Sequence, residues 1–138
     1  MTAELIVIVE DNAKNLKLVR ELLQVKGYQT IEAGSAELGI ELAHHHTPQL
    51  ILMDIQLPGM DGVTALGQLR ADPATAKIPV VALPAFAMQD ERQRFRSAGF
   101  DGYLVKPINI RELLAVVGAF CERYTPHPDP LPEGEGAP

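Results

Sequence analysis

Five short apolar runs, separated by stretches of helical spacing, constrain this chain more than any other feature in it. The runs are Leu5–Val9, Gln29–Ala33, Leu50–Met53, Val80–Leu83 and Gly102–Val105. They are rich in β-branched residues and most are almost continuously hydrophobic. That pattern belongs to strands covered on both faces, as in a parallel sheet flanked by helices. Between them, Leu16, Val19 and Leu23 repeat at three- and four-residue steps. Ala36, Ile40 and Ala43 do the same, as do Ile110, Leu113, Leu114 and Val117. Val63–Arg70 and Met88–Ala98 carry weaker helical patterns. The punctuation agrees with this division. Gly27 and Gly99 stop the first and fourth helices, and Ser35 and Asn109 cap the second and fifth. Asp72-Pro73 and Ile78-Pro79 interrupt the chain before the fourth run. Five β–α units predict a doubly wound α/β domain, with a five-stranded parallel sheet, five helices and right-handed crossovers.

The length of 138 residues suits one such domain. Residues 1–124 carry the pattern. Residues 125–138 do not: five prolines and two glycines stand among few large apolar groups, which reads as a disordered tail. The net charge of −6 argues against direct nucleic-acid binding, which needs clustered lysine and arginine. No apolar run is long enough to span a bilayer, and no basic stretch precedes a long apolar one at the N-terminus. A lone cysteine, Cys121, excludes an internal disulfide. Together these favour the cytoplasm. Cys121 itself reads as a packing residue. His44-His45-His46 reads as a solvated helix end, because consecutive helical side chains point about 100° apart and cannot share one ion. Phe86, Phe95 and Phe100 read as packing groups.

In open α/β sheets, ligands bind beyond the carboxyl ends of the strands. There the first run ends at Glu10-Asp11, the third at Asp54 and the fifth at Lys106-Pro107. Three acids and one lysine therefore converge on one edge. Neighbouring carboxylates repel, and a hard divalent cation relieves that repulsion. Mg²⁺ takes oxygen ligands and keeps several waters. Asp11 and Asp54 are candidate direct ligands, with Glu10 acting through water. A carboxylate can also attack phosphorus. Phosphoryl transfer needs positioning and charge neutralisation, which the metal and Lys106 would supply. The turn Gly59-Met60-Asp61-Gly62 lets backbone approach a ligand closely.

With these residues identified, the chain closely resembles the response-regulator receiver family, in its single-domain, CheY-like and DivK-like form. The matching segments are Ile8–Asn12, Leu52–Gly62, Ile78–Leu83 and Gly102–Pro107, in family order and spacing across about residues 4–124. The resemblance implies a flavodoxin-like sheet of order 2-1-3-4-5. It implies Asp54 as phospho-acceptor, with Asp11, Asp54 and the Gln56 backbone carbonyl as Mg²⁺ ligands and Glu10 in the outer shell. It implies Lys106 as the phosphate-contacting lysine, followed by a cis bond to Pro107. Gln56 and Phe86 match positions that tune autodephosphorylation, and Tyr103 matches the aromatic switch residue. The implied partners are a sensor histidine kinase or histidine phosphotransfer protein, docking near Asn15 and Leu16. A downstream protein would bind the α4–β5–α5 face, and a homodimer is compatible with the family.

One departure stands out. The family usually has Thr or Ser at the end of strand 4, where this chain has Pro84 followed by Ala85. Proline offers neither hydroxyl nor N–H, and its φ is fixed near −65°. The expectation is that phosphorylation survives and the loop-and-aromatic switch is weakened. Two rival readings remain. One is a pseudo-receiver whose partners ignore phosphate. The other is a different Mg²⁺-dependent phosphotransferase or phosphatase. A haloacid-dehalogenase-type enzyme would want a second aspartate where Gln56 stands, and the chain has no P-loop.

Overall fold

The computed structural model describes residues 4–57, 59–85 and 89–122. Pro58, Phe86 and the tail at 125–138 lie outside the described residues. The elements alternate through the chain as β1 Leu5–Val9, α1 Ala13–Val25, β2 Gln29–Ala33, α2 Ala36–His46, β3 Leu50–Asp54, α3 Gly62–Ala71, β4 Val80–Leu83, α4 Gln89–Ala98, β5 Gly102–Tyr103 and α5 Ile110–Glu122. All strand pairs are parallel, in the order β2-β1-β3-β4-β5.

Side-chain alternation along the central strands explains why helices cover both faces. Val7, Val9, Ile51, Met53, Val80 and Ala82 point to one side, where they pack with Ala36, Ala43, Ala65, Leu66, Leu69 and Phe95 of α2, α3 and α4. Ile6, Ile8, Leu50, Leu52, Val81 and Leu83 point to the other, onto Val19 and Leu23 of α1 and Leu113, Val117 and Cys121 of α5. The sheet is thus buried between two helical layers, and truncating one of its large side chains to alanine would cost about 2–5 kcal/mol.

Four strands fall where the sequence reading put them, β3 reaching one residue further, to Asp54. The fifth is a correction: it is two residues long rather than four. Pro84 supplies the physical reason. Leu104 N–H still donates to the Ala82 carbonyl at 2.8 Å, and Lys106 N–H to the Pro84 carbonyl at 2.9 Å. Pro84 has no N–H to return a bond, so the regular ladder stops. Gly27 and Gly99 close α1 and α4 at positive φ, as expected. Ser35 and Asn109 cap α2 and α5. Asn12 and Asp61 cap α1 and α3, which the sequence reading had not singled out.

The amino ends of the strands are tied by a second polar network. Arg70 donates from Nη1 to the carbonyls of Ala76 and Ile78, and from Nη2 to Gly99 O and Asp101 Oδ2. Asp101 Oδ2 also accepts from Val80 N–H at 2.8 Å. His44, at the end of α2, contacts Asp72 Oδ2 through Nδ1 at 2.6 Å. The histidine run is therefore an exposed helix end, as read, with one ring engaged by a carboxylate.

Candidate functional site

The register of the sheet builds the site. β1 pairs with β3 so that Val9 lies opposite Met53, and Asp54 lies opposite Leu83 on β4. Glu10 and Asp11 thus leave β1 beside Asp54, and the chain after β5 delivers Lys106 from the other side. One oxygen each from Glu10, Asp11 and Asp54 lie within 4.8 Å of one another. Glu10 and Asp54 are buried and Asp11 is exposed. The Lys106 ammonium stands 3.0 Å from Glu10 Oε1 and 3.0 Å from Asp54 Oδ2. The Lys106–Pro107 bond is cis.

Local backbone fixes the carboxylates further. Glu10 Oε2 accepts from Asn12 N–H at 3.1 Å, and Asp54 Oδ1 accepts from Gln56 N–H at 3.0 Å. Asn12 in turn caps α1 through Lys14 N–H and Asn15 N–H. The turn carrying Gln56 is clamped by Gly62. A Cβ on Gly62 would sit 2.8 Å from the Ile55 backbone Cα, a distance that only glycine avoids without displacing the turn.

The electrostatics are unbalanced. Three carboxylates face one ammonium. Burial pushes the Glu10 carboxyl above its ordinary range, with the Asp54 charge adding to the rise, against the lowering contacts of Lys106 and Asn12. Burial works to lower Lys106, but its contacts with Asp54 and Glu10 outweigh it and hold the ammonium above its usual value. Glu10 Oε1 is buried and receives no directed hydrogen bond. Its contact with Lys106 is an ion pair whose direction misses hydrogen-bond geometry.

Three clustered carboxylates, one of them with a buried oxygen met only by a shared ammonium, are the observation that a cation would answer. Oxygens on opposite corners of a Mg²⁺ octahedron stand about 4.2 Å apart, twice the usual Mg–O distance. All three oxygens lie within 4.8 Å of one another, near enough to share one hydrated Mg²⁺ directly or through water, so the residues fit it. Among the described residues this is the one cluster of at least three acidic, histidine or cysteine ligands with such spacing.

The remaining candidates fall around this centre. Pro84 is buried and Ala85 exposed at the end of β4. Tyr103 is half-buried, and its ring lies 6.3 Å from that of Phe95 on α4, tilted by 49°. Asn15 and Leu16 lie half-buried on the first turns of α1, beyond Asp11. Phe95, Phe100 and Cys121 are buried packing groups, as read.

Comparison with known proteins agrees with this geometry. A family model described as the response regulator receiver domain matches residues 6–118. The polar-differentiation response regulator DivK of Brucella ovis is 40% identical over 115 residues, covering 83% of this chain and 94% of that protein. DivK of Brucella anthropi is 39% identical over the same shares. Among solved structures, the receiver domain of a Pseudomonas aeruginosa sensor histidine kinase superposes with a TM-score of 0.79 at 30% identity, covering 86% of this chain and 98% of that one. That structure holds a magnesium ion coordinated in the active-site cleft. A response regulator from Desulfuromonas acetoxidans gives a TM-score of 0.80 at 26% identity, covering 88% and 98%.

Proposed function

This chain belongs to the response-regulator receiver family of two-component signalling, and on that premise we propose that Asp54 accepts a phosphoryl group from a phosphohistidine. Receiver domains bind Mg²⁺ in an acidic pocket of this kind. Here Asp11, Asp54 and the Gln56 carbonyl would hold the ion, with Glu10 reaching it through water. When bound, the ion neutralises carboxylate charge and orients the phosphoryl oxygens. An Asp54 carboxylate oxygen attacks phosphorus. The P–N bond breaks, and the electron pair leaves with the donor imidazole. Lys106 balances charge on the phosphoryl oxygens as they approach. Slow attack by water on the acyl phosphate returns Asp54 to its starting state.

The observation that carries this reading is Lys106 poised 3.0 Å from both Glu10 and Asp54, in a cluster where three carboxylates face that one ammonium. The donor would be a sensor histidine kinase or a histidine phosphotransfer protein in the cytoplasm. The readout would be protein contact, on the α4–β5–α5 face or between two copies. Residues 1–124 would act as the signalling unit, with 125–138 as an appended tail. Acetyl phosphate with Mg²⁺ tests the chemistry. Intact mass should rise by one phosphate in the natural chain and not in Asp54→Asn. No gain in either refutes the reading.

Pro84 favours a second reading, a pseudo-receiver whose partners ignore phosphate. A hydrogen bond to a charged phosphoryl group is worth ~1.5–3 kcal/mol. Its absence would shrink a switched population by about one to two orders of magnitude.

A further inference from the structure

The amino edge of the sheet carries a groove that the proposed chemistry does not use. Its volume is about 350 Å³, and it lies where the loops before β3 and β4 meet. Pro48, Ile78 and Pro79 form its buried floor, and Pro73, Ala74 and Lys77 its exposed rim. Proline and alanine have no rotamer freedom to lose, so a ligand settling here orders little beyond itself. Among the described residues that line it, Lys77 carries the one formal charge. Lys77 stands outside the Arg70–Asp101 and His44–Asp72 pairs. The groove therefore suits an apolar, stiff and acidic segment.

This chain contains such a segment, and it leaves the fold at the same edge. Phe120, in the last turn of α5, places its Cε2 3.9 Å from the position that a Cβ on Gly102 would take. Gly102 opens β5 and pairs with Val81, and Asp101 N–H donates to the Val80 carbonyl. Pro79 of the groove comes directly before Val80. The far side of the groove is two strand spacings of about 4.8 Å away, and passing from the α5 side of the sheet to the α3 side adds about 10 Å. α5 ends at Glu122, and Leu131 follows nine residues later. In the extended form that prolines favour, nine residues reach about 28 Å. Pro128-Asp129-Pro130-Leu131-Pro132-Glu133 offers one large apolar side chain between prolines, with an acid two positions to either side of it.

We propose that residues 128–133 of this chain dock in the groove, with Leu131 against Pro48, Ile78 and Pro79, and Asp129 and Glu133 beside the Lys77 ammonium. A groove of this volume offers far less contact than the ~1,200–2,000 Å² of a stable interface between separate proteins. A tether changes that balance, because a short linker holds its end at an effective concentration in the range of about 1 mM. The prolines lower the ordering cost further, since their φ is fixed before docking. The occupant is therefore the chain's own segment rather than a free peptide or a second copy. Docked there, it covers the edge opposite Asp54 and leaves the carboxyl edge open to partners. The inference is independent of phosphoryl transfer.

Amide spectra of the full chain test it. Leu131→Asp should shift the amides of Ala74, Lys77 and Ile78 and leave those of Asp54 and Gln56 unmoved. Those differences should persist on dilution. Lys77 is exposed, so Lys77→Glu leaves the fold intact. It should lower the order parameter of the Leu131 amide from above about 0.6 to below it, the range of flexible backbone. Groove amides that are identical in the natural chain and Leu131→Asp overturn the proposal, because the groove is then unoccupied. Differences that fade on dilution also overturn it, because the occupant is then a second copy. So does a Leu131 amide that is already flexible in the natural chain, or one that Lys77→Glu leaves ordered.

Discussion

The two ends of the sheet use the same kinds of side chain to opposite effect. At the amino end, Arg70 and Asp101 meet at 2.8 Å, and each also bonds backbone groups of the loops around them. Charge there is matched one to one, and donors find acceptors. At the carboxyl end, three carboxylates cluster around one lysine, which pairs with two of them, and the buried Glu10 Oε1 meets it without a directed hydrogen bond. Buried charge in excess of its counter-charge lowers stability. A fold that closes its charges at one edge and leaves them open at the other reserves the open edge for something it binds.

Damage to the closed end carries the largest expected effect. Arg70→Ala removes donors from three carbonyls and the partner of Asp101. The expected loss is about 3 kcal/mol of unfolding free energy, because hydrogen bonds to charged groups carry ~1.5–3 kcal/mol each and this pair is partly solvated. Urea unfolding measures it. Mg²⁺ binding should be unaffected. At the open end the next largest effect comes from the ion. Mg²⁺ at about a hundredfold excess over its dissociation constant should stabilise the natural chain by about 2.7 kcal/mol relative to EDTA. Arg70→Ala should keep that increment, and Asp11→Asn should lose most of it. An equal increment in both would mean the acids do not hold the ion.

The open end was far more legible in the sequence than the closed one. Its groups sit at strand ends, which apolar runs locate directly: Asp54 follows Leu50–Met53, and Glu10-Asp11 follow Leu5–Val9. The closed end is built across distance. Arg70 and Asp101 are thirty-one positions apart, and no local period links them. His44 and Asp72 are twenty-eight apart, and for the same reason the histidines read as merely solvated. Gly62 appeared in the sequence as a turn residue. Its close packing on Ile55 depends on tertiary placement that spacing does not encode. The length of β5 was overestimated because the apolar run continues through Val105, whereas the ladder depends on donors from β4, which Pro84 cannot give.

A smaller effect sharpens the contrast by locating a satisfied acid at the open end. Asp61 caps α3 by accepting from Thr64 N–H at 2.8 Å, and that bond holds its carboxyl below the usual value. Asp61→Ala should cost about 1 kcal/mol. The sign with pH follows from the lowered value. The contribution is complete above the unfolded carboxylate's value of 3.8 and disappears as pH falls through the lower folded value. The difference between the two proteins in urea should therefore shrink only in strong acid. A difference that fades near neutrality would mean the cap is not ionic.

The smallest effect is the most discriminating, because its sign differs between the ends. Glu10→Gln and Asp101→Asn each remove one negative charge and preserve shape. Asp101 balances Arg70, so its amide leaves a partly buried guanidinium short of a counter-charge and stability should fall. Glu10 stands where burial, followed by the repulsion of Asp54, disfavours its charged form despite Lys106. Its amide should therefore unfold at slightly higher urea than the natural chain when both are in EDTA. In Mg²⁺ the order should reverse, since the natural chain gains the ion's stabilisation and Glu10→Gln gains less of it. A loss of stability for Glu10→Gln in EDTA would mean that Lys106 fully compensates this carboxylate, and that the open edge is as closed as the other.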